Sequence, residues 1–172
     1  MKALMYEGPR EMRIREVDAP APGEDDVLIR VFFSGICGSE LSGYLGHNAL
    51  RKPPLIFGHE FSGIVVGMGM KAAKTSGLEI GMRVTANPLV TCGRCVRCLE
   101  GRQQLCRDRK LLSAALPGSN AEFVVVPAPF VHPLPEHLTL QQGALVEPIA
   151  CAARVAELAK PRPADRAVVF GM

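Results

Sequence analysis

The sequence predicts a mainly β fold with short helices, in the form of a barrel or sandwich, followed by a helical segment. Up to residue 137, many short apolar runs rich in β-branched residues are separated by Gly and Pro. From 138 to 160 turn residues become rare and Ala and Leu become frequent, which is typical of helix. With 172 residues, 48% apolar and 22% charged, the chain has the composition of one globular domain and a fragment of a second.

The individual strands are predicted from alternating and β-branched residues between turn signals. Segments 3–6 and 12–17 flank Gly8-Pro9 and predict a hairpin. Further strands are expected at 27–36, 61–66, 83–86 and 122–126. A helix is expected to start near Thr139, with an interruption around Pro148. Residues 167–170 (AVVF) precede Gly171, so we expect them to form the first strand of a parallel α/β unit.

Four of the six cysteines lie close together, in the stretch TCGRCVRCLEGRQQLC at Cys92, Cys95, Cys98 and Cys106. Gaps of two, two and seven residues allow one loop to surround a tetrahedral ion. A redox pair or a disulfide framework is the alternative, but a redox CxxC normally stands alone before a helix. The spacing predicts a structural zinc site. Because four thiolates complete the tetrahedron, this site has no open position for a substrate.

Composition and charge exclude several classes of protein. No apolar run approaches the ~20 residues of a membrane helix, and the N-terminus lacks the apolar stretch of a signal peptide. Zinc and free thiols favour a reducing compartment, so a cytoplasmic protein is expected. The net charge of +3 does not indicate nucleic acid binding. Basic residues do crowd the cysteines, and we interpret them as a solvated loop face: Arg94, Arg97, Arg102, Arg107, Arg109 and Lys110.

A second group of metal-binding residue types lies at predicted element ends. Cys37 follows the long strand between two glycines, His59-Glu60 precedes the next strand, and Glu147-Pro148 opens the helical segment. A catalytic zinc takes three protein ligands and keeps one position open, so convergence of these residues would suit one. For Cys37 alone, a buried small apolar residue is the alternative.

The motifs that carry a family resemblance are GICGSE (35–40), GHEFSG (58–63), the four cysteines, AEFVVVP (121–127) and LVEP (145–148). With them, essentially the whole chain resembles the N-terminal, GroES-like catalytic domain of zinc-dependent medium-chain alcohol and polyol dehydrogenases. The resemblance implies a partly open β-barrel over residues 1–146, with a structural zinc lobe at 87–111. Residues 147–172 are then a linking helix and the start of a truncated Rossmann domain.

The resemblance also implies a catalytic zinc surrounded by Cys37, His59, Glu60 and Glu147. Glu60 would be a ligand that exchanges with water or a neighbour of the ligands. Glutamate at 147, rather than cysteine, makes the site similar to that of sorbitol, butanediol and galactitol-phosphate dehydrogenases. Ser39 would pass the substrate's hydroxyl proton outward, or it would cap the short helix that follows.

The implied activity is NAD- or NADP-linked oxidation of a small secondary alcohol or polyol. Zinc would act as a Lewis acid while the adjacent carbon gives hydride to a nicotinamide, held at a fingerprint starting at Gly171. Two zinc ions and a homo-oligomer at full length are expected, with no nucleic acid or membrane partner. The 172-residue chain alone is expected to be inactive. The alternative is a zinc-binding domain without catalysis, either a truncated product or an interaction module.

The sequence departs from the family pattern at four positions. Glu40 stands where an aspartate orients the zinc-binding histidine, and Ser42 where a histidine is common. Arg154 replaces a helix histidine, and Met82 replaces the aspartate of a GDRV turn. We expect these changes to preserve the fold and to bear on the catalytic rate.

Several further residues resemble functional ones. Gly67, Gly69 and Ala72 match the GxGxxA dinucleotide fingerprint, but the space before Gly77 is too short for its helix, which favours a glycine turn. Cys151 shares a helix face with Glu147 and is predicted to be a buried thiol. The remaining histidines are predicted to lie on the surface, with His47 a candidate for the substrate cleft: His47, His132 and His137.

Overall fold

The computed structural model describes residues 1–170 and confirms a mainly β fold with short helices. The strands are β1 (Lys2–Gly8), β2 (Glu11–Glu16), β3 (Asp26–Ser34), β4 (Leu55–Ile56), β5 (Phe61–Met68), β6 (Arg83–Ala86), β7 (Leu89–Val90), β8 (Lys110–Leu111), β9 (Phe123–Pro127) and β10 (Val131–Pro133). The helices are α1 (Gly38–Tyr44), α2 (Met70–Thr75), α3 (Val96–Leu99), α4 (Leu140–Gly143) and α5 (Val146–Ala159), with 3₁₀ turns at Gln103–Leu105 and Ala128–Phe130.

The strands form antiparallel sheets that do not close. The largest sheet has the order β10-β6-β5-β3-β9, and both its outer strands remain edges. A second sheet has the order β2-β1-β4, and β7 pairs with β8 in a short ribbon. The partly open barrel expected from the resemblance is consistent with this arrangement.

Most predicted strands occur where the sequence places them. The hairpin is β1 paired with β2, with Lys2 opposite Glu16. The strands expected at 61–66, 83–86 and 122–126 are β5, β6 and β9. The strand expected at 27–36 is β3, which ends at Ser34. The Gly35 N–H still donates to the Glu60 carbonyl at 2.6 Å, but the strand ends here because the chain then turns into α1, which begins at Gly38.

Two apolar clusters hold the sheets together. The larger one is built from inward-facing residues of β3, β5, β6 and β9, including Ile29, Phe61 and Val65. The smaller one contains Tyr6, Leu55 and Phe57, and the rings of Tyr6 and Phe57 stack with centroids 4.8 Å apart. Phe57 and Phe61 are therefore fixed in different clusters, on either side of the segment 58–60.

The helical segment is divided as predicted, although the break precedes Pro148. Thr139 caps α4 through a capping box with Gln142, and α5 starts only at Val146. Pro148 then lies in the first turn of α5, where the missing N–H has no intrahelical partner to lose. Residues 149–159 of α5 are exposed. Among residues 1–170, no helix combines the length and the apolar character that a membrane crossing needs.

The strand predicted at 167–170 is wrong, since these residues have no regular structure. Their backbone groups find no neighbouring strand in the described part of the chain, and an apolar run needs a partner to form a strand. Val168, Val169 and Phe170 are accordingly exposed. Gly171, predicted to bind the cofactor, lies outside the described residues.

The glycine turn predicted for the GxGxxA segment is wrong, because Gly67 lies in β5 and Gly69 is extended directly before the short helix α2. Gly69 precedes α2, and a Cβ there would lie 2.0 Å from the Gly23 carbonyl oxygen. The first amides of α2, from Lys71 and Ala72, donate to the Glu24 carbonyl at 3.0 and 2.9 Å. Because the protein's own loop occupies these amides, they are not free to bind a pyrophosphate.

Candidate metal centres

The four-cysteine lobe, residues 87–111, brings all its thiols together. Their Sγ atoms lie within 4.8 Å of one another, with separations of 3.5 Å for Cys95–Cys98, 3.6 Å for Cys92–Cys106 and 3.9 Å for Cys92–Cys98. A tetrahedral zinc with Zn–S bonds of about 2.3 Å requires S–S separations of about 3.8 Å. None of the cysteines within residues 1–170 forms a disulfide. The geometry therefore fits a tetrahedral thiolate site and disfavours a disulfide framework.

The lobe presents one thiol ready to ionise and one that resists ionisation. Backbone hydrogen bonds from Arg94 and Cys95 lower the pKa of Cys92 to about 6. Burial and the neighbouring Cys95 raise the pKa of Cys98 to about 11. Metal binding must therefore displace a proton from Cys98, whereas Cys92 is already a thiolate at neutral pH. The basic residues predicted to form a solvated loop face are exposed, as expected.

Three of the predicted ligands meet at the second site, named here the Cys37 site and made of Cys37, His59 and Glu60. One ligand atom from each lies within 4.8 Å of the other two. Cys37 directly precedes α1, and His59-Glu60 directly precedes β5. The hydrogen bond from Gly35 to the Glu60 carbonyl ties these two segments together. His59 is buried, and the other two are half-buried.

The backbone directly before His59 requires a glycine, which is Gly58. Its φ of +105° is unfavourable for residues with a Cβ. A Cβ would also lie 2.4 Å from the Asn120 amide nitrogen and 2.5 Å from Ser119 Oγ. The chain on either side is fixed by backbone hydrogen bonds from Asn120 to Phe57 and from Ser119 to Gly58. The conformation that presents His59 thus depends on this residue.

Glu40 orients the histidine despite being one methylene longer than aspartate. Its Oε1 lies 2.9 Å from His59 Nδ1 and also accepts from the Gly58 N–H at 2.6 Å and from Ser113 Oγ at 2.8 Å. Burial acts to raise the pKa of Glu40, but hydrogen bonds from His59, Ser113 and Gly58 outweigh it and keep the pKa below its ordinary value. An ionised Glu40 accepts from Nδ1–H and leaves Nε2 of His59 free for a metal.

Glu147, the fourth predicted ligand, does not join this group. It lies in the first turn of α5, outside the set of mutually close ligand atoms. Cys151 Sγ is 3.6 Å from Glu147 Oε1. Burial raises the pKa of Cys151, and the negative charges of Glu147, Cys37 and Glu60 raise it further. Cys151, which contacts Glu147, is therefore within electrostatic reach of the Cys37 site.

One prediction and one alternative about single residues are wrong. Cys151 is exposed, because α5 packs few residues against the sheets beyond its first turn. Ser39 does not cap α1, because Cys37 occupies the capping position and Ser39 lies inside the helix. Its Oγ instead accepts a hydrogen bond from Arg51 Nη2 at 3.0 Å. His47, His132 and His137 are exposed, as predicted.

The residue pattern gave no sign of two buried residues near the Cys37 site. Ser113 lies far along the chain from Glu40, has a positive φ of +66°, and donates its hydroxyl to Glu40 Oε1. Arg51 is also buried, at 4% exposure. A buried arginine in a loop of polar and Pro residues looks like an exposed one in the sequence, so only the tertiary structure identifies it.

Both donor sets suit zinc. Thiolate, imidazole and carboxylate are its usual ligands, and four thiolates are typical of a structural site. The Cys37 site offers three such groups, with the histidine held by a carboxylate through its other nitrogen, as is usual for metal-binding histidines. The three ligands of the Cys37 site leave one position of a tetrahedral ion open, whereas the four thiolates of the lobe leave none.

The sequence matches the Alcohol dehydrogenase GroES-like domain over residues 23–136. It is 34% identical to sorbitol dehydrogenase of Bacillus subtilis over 177 residues, which covers 100% of this chain and 49% of that protein. The fold is similar to the crystal structure of galactitol-1-phosphate dehydrogenase from Escherichia coli, with a TM-score of 0.87, 30% identity, and coverage of 93% of this chain and 45% of that one.

A third similar structure is a short chain alcohol dehydrogenase (rspB) from Escherichia coli CFT073, complexed with NADH. The TM-score is 0.84 with 34% identity, over 94% of this chain and 46% of that one. The chain spans about half the length of the curated relatives it matches.

Proposed function

Because this chain belongs to the Alcohol dehydrogenase GroES-like domain family, we propose that it is the metal-binding half of a zinc-dependent, NAD(P)-linked dehydrogenase. The substrate is a secondary alcohol or a polyol. The observation that carries this proposal is the convergence of Cys37, His59 and Glu60, in addition to a complete four-cysteine lobe. The names of the relatives, sorbitol and galactitol-1-phosphate dehydrogenase, support the substrate class.

In this proposal, the Cys37 site holds the catalytic zinc through Cys37, His59 and Glu60. Bound zinc supplies a Lewis acid for the oxygen of an alcohol or carbonyl group. Glu40 keeps His59 in the tautomer that presents Nε2 to the ion. Glu60, which is half-buried and so keeps access to solvent, can give way to a water or a substrate oxygen. Glu147 approaches the ion or its water from α5.

Ser39 is proposed to carry the hydroxyl proton away from the site. Its Oγ already accepts from Arg51, so its own O–H is available to point elsewhere. An adjacent guanidinium also favours the deprotonated state of a nearby proton carrier. Ser42 cannot take over this role through titration near neutral pH, as a histidine could.

The four-cysteine lobe holds a second, structural zinc in this proposal. Its thiolates leave no open coordination position, so its role is to fix the loop between β7 and β8. The ion replaces the apolar packing that this exposed, Arg-rich loop lacks.

We further propose that residues 1–146 form the catalytic domain and that residues 147–172 lead into a Rossmann cofactor domain. The relative crystallised with NADH supports a nicotinamide cofactor, with the phosphate-binding turn starting at Gly171. The 172-residue chain alone is then inactive, and a homo-oligomer forms at full length. The exposed apolar residues of α5 support this division, because a neighbouring domain would cover them: Ile149, Val155 and Leu158.

Zinc analysis tests the two metal sites separately. We expect two zinc ions per chain by elemental analysis, one in a Cys37→Ser variant and one in a Cys92→Ser variant. A single ion in the unmodified chain, lost with Cys92→Ser but kept with Cys37→Ser, would overturn the catalytic assignment.

Activity distinguishes the enzyme from a zinc-binding domain without catalysis. The 172-residue chain should reduce neither NAD nor NADP with sorbitol or a secondary alcohol, whereas a chain extended through the cofactor domain should reduce one of them. If both chains are inactive while both bind two zinc ions, the non-catalytic alternative is favoured.

A further inference from the structure

Arg51 is a buried cation with unused hydrogen-bonding capacity. It is only 4% exposed, and its Nη2 donates to Ser39 Oγ at 3.0 Å. Its Nε and Nη1 are buried and have no partner among residues 1–170. Burying such groups is costly unless something compensates, so the position of this guanidinium requires an explanation.

The surroundings of Arg51 are shaped to receive it. Its guanidinium carbon lies 5.7 Å from the centre of the Phe57 ring, a distance suited to a cation–π interaction. A Cβ on Gly43 of α1 would lie 2.6 Å from Arg51 Cγ and 3.0 Å from its Cβ. The side chain therefore passes through a gap that only a glycine leaves open, which fixes its path into the interior.

The charges near Arg51 are the negative groups of the Cys37 site and its support. No carboxylate in the described part of the chain approaches it within 4.0 Å. Burial lowers the pKa of Arg51, while the charges of Glu40 and Cys37 raise it. Glu40 in turn keeps one oxygen, Oε2, buried and without a partner. A buried guanidinium with two unpaired nitrogens and a buried carboxylate with one unpaired oxygen thus lie beside the same site.

We infer that Arg51 is a positioning residue of the Cys37 site, whose buried positive charge balances the site's negative groups. Cys37, Glu40 and Glu60 are anionic when ionised, and a divalent ion leaves one of these charges uncompensated. Arg51 compensates it without occupying a coordination position. The inference rests on the proposed function and adds a residue for which neither the motifs nor the relatives' names give any indication.

This position also couples two segments of the site. The hydrogen bond to Ser39 attaches Arg51 to α1, which starts directly after Cys37. Contact with Phe57 attaches it to the segment that carries His59. Arg51 can therefore hold the two ligand-bearing segments at a fixed separation as well as balance their charge.

Zinc affinity of variants tests this inference. The variants are Arg51→Met, which removes the charge, Arg51→Lys, which keeps it, and Lys52→Ala, which removes the adjacent exposed cation as a control. Each is titrated with zinc in competition with a chromophoric chelator. Residues that support metal ligands typically contribute about 10–100-fold to metal affinity. Arg51→Met should therefore weaken zinc binding at the Cys37 site by about that factor. The four-cysteine lobe should keep its affinity, which reports that the fold is intact.

The Arg51→Lys variant separates the effect of the positive charge on zinc affinity from the effect of the side chain's shape. Arg51→Lys should recover most of the lost affinity, and Lys52→Ala should leave both sites unchanged. A Gly43→Ala variant, which pushes the Arg51 stem aside, should weaken the same site as Arg51→Met. If Arg51→Met loses both ions through unfolding, the lysine and Gly43→Ala variants decide the question.

Three results would overturn the inference: unchanged affinity in Arg51→Met, an Arg51→Lys variant as weak as Arg51→Met, or an unaffected Gly43→Ala variant. All of these leave the proposed function intact, because the unmodified chain still binds two ions. If the unmodified chain binds only one, the proposed function fails first and the inference fails with it.

Discussion

The Glu40 carboxylate lies 2.9 Å from His59 Nδ1 and is only 2% exposed. The same oxygen accepts from the Gly58 amide, so one atom fixes both the histidine ring and the backbone that precedes it. The buried hydroxyl of Ser113 completes this set of donors. A single side chain on α1 thereby sets the geometry of a ligand that belongs to a different segment.

Replacing Glu40 with Ala should be strongly destabilising. The change leaves the Ser113 hydroxyl and His59 Nδ1 without their buried acceptor, and it removes the shorter of the two hydrogen bonds that the Gly58 N–H donates. We therefore expect a loss of about 3–5 kcal/mol in the free energy of unfolding. Urea denaturation of the metal-free chain measures it. A Glu136→Ala variant, which removes an exposed carboxylate, is the matched control and should change the free energy by less than about 0.5 kcal/mol. Equal losses in the two variants would contradict this account of Glu40.

Acidification should remove the contribution of Glu40. Its folded-state pKa is lowered, so its stabilisation is present above the unfolded-state value of about 4.3 and is lost as the pH falls through the folded-state pKa. The difference in unfolding free energy between the unmodified chain and Glu40→Gln should therefore persist at pH about 5 and shrink as the pH falls below about 4. A difference that grows on acidification would show that the carboxylate is not the titrating group.

The thiols of the metal-free lobe should react in a fixed order. With a pKa of about 6, Cys92 is mostly thiolate near neutral pH, whereas Cys98, with a pKa of about 11, is protonated. Since the thiolate is the nucleophile, iodoacetamide should modify Cys92 well before Cys98. Peptide mass spectrometry after timed alkylation follows both. In concentrated urea the two rates should become similar, and a preference for Cys98 in the folded chain would refute the assignment.

Gly58→Ala should lower the free energy of unfolding more than substitution of a glycine whose only special feature is a positive φ. Gly58 combines a φ of +105° with a Cβ position 2.4 Å from a backbone nitrogen, while Gly77, with a φ of +70°, has open space there. Gly77→Ala should cost about 1–2 kcal/mol, and Gly58→Ala should exceed it by at least that amount again. Thermal or urea denaturation compares them. Similar values would mean that the segment 119–120 moves aside freely.

Glu147 and His59 should differ in their importance for metal binding. Because Glu147 lies outside the mutually close ligand atoms, Glu147→Ala should retain the ion of the Cys37 site with at most about 10-fold weaker affinity. His59→Ala should lose that ion and keep the one in the four-cysteine lobe. Chelator competition distinguishes the two variants. Complete loss of the ion in Glu147→Ala would make Glu147 a primary ligand.

Much of the fold follows from local sequence signals. The strands β5, β6 and β9 lie where β-branched runs end at glycine or proline, since these runs have a buried face to satisfy. The apolar segment 167–170 carries the same signal but is not a strand, because pairing depends on a neighbour that the segment itself does not encode.

The candidate sites were predictable to the extent that their residues share a motif. The four cysteines and the Cys37, His59 and Glu60 triad meet as the spacing and resemblance suggested. Ser113 and Arg51 belong to no motif, and their roles arise from a loop that crosses Glu40 and a gap left by Gly43. Such contacts depend on how distant segments pack, which short-range patterns do not report.

The backbone hydrogen bonds that join segment 56–58 to segment 118–120 bear on how fast a metal could leave. Gly118, Ser119 and Asn120 donate to the carbonyls of Ile56, Gly58 and Phe57, directly before His59. Moving the histidine far enough to release an ion would require these hydrogen bonds to break. The buried packing of Phe57 and Phe61 opposes this local opening. Release from the Cys37 site should consequently be governed by a local opening of the barrel, and the amide of Gly58 should exchange its hydrogen on the same timescale.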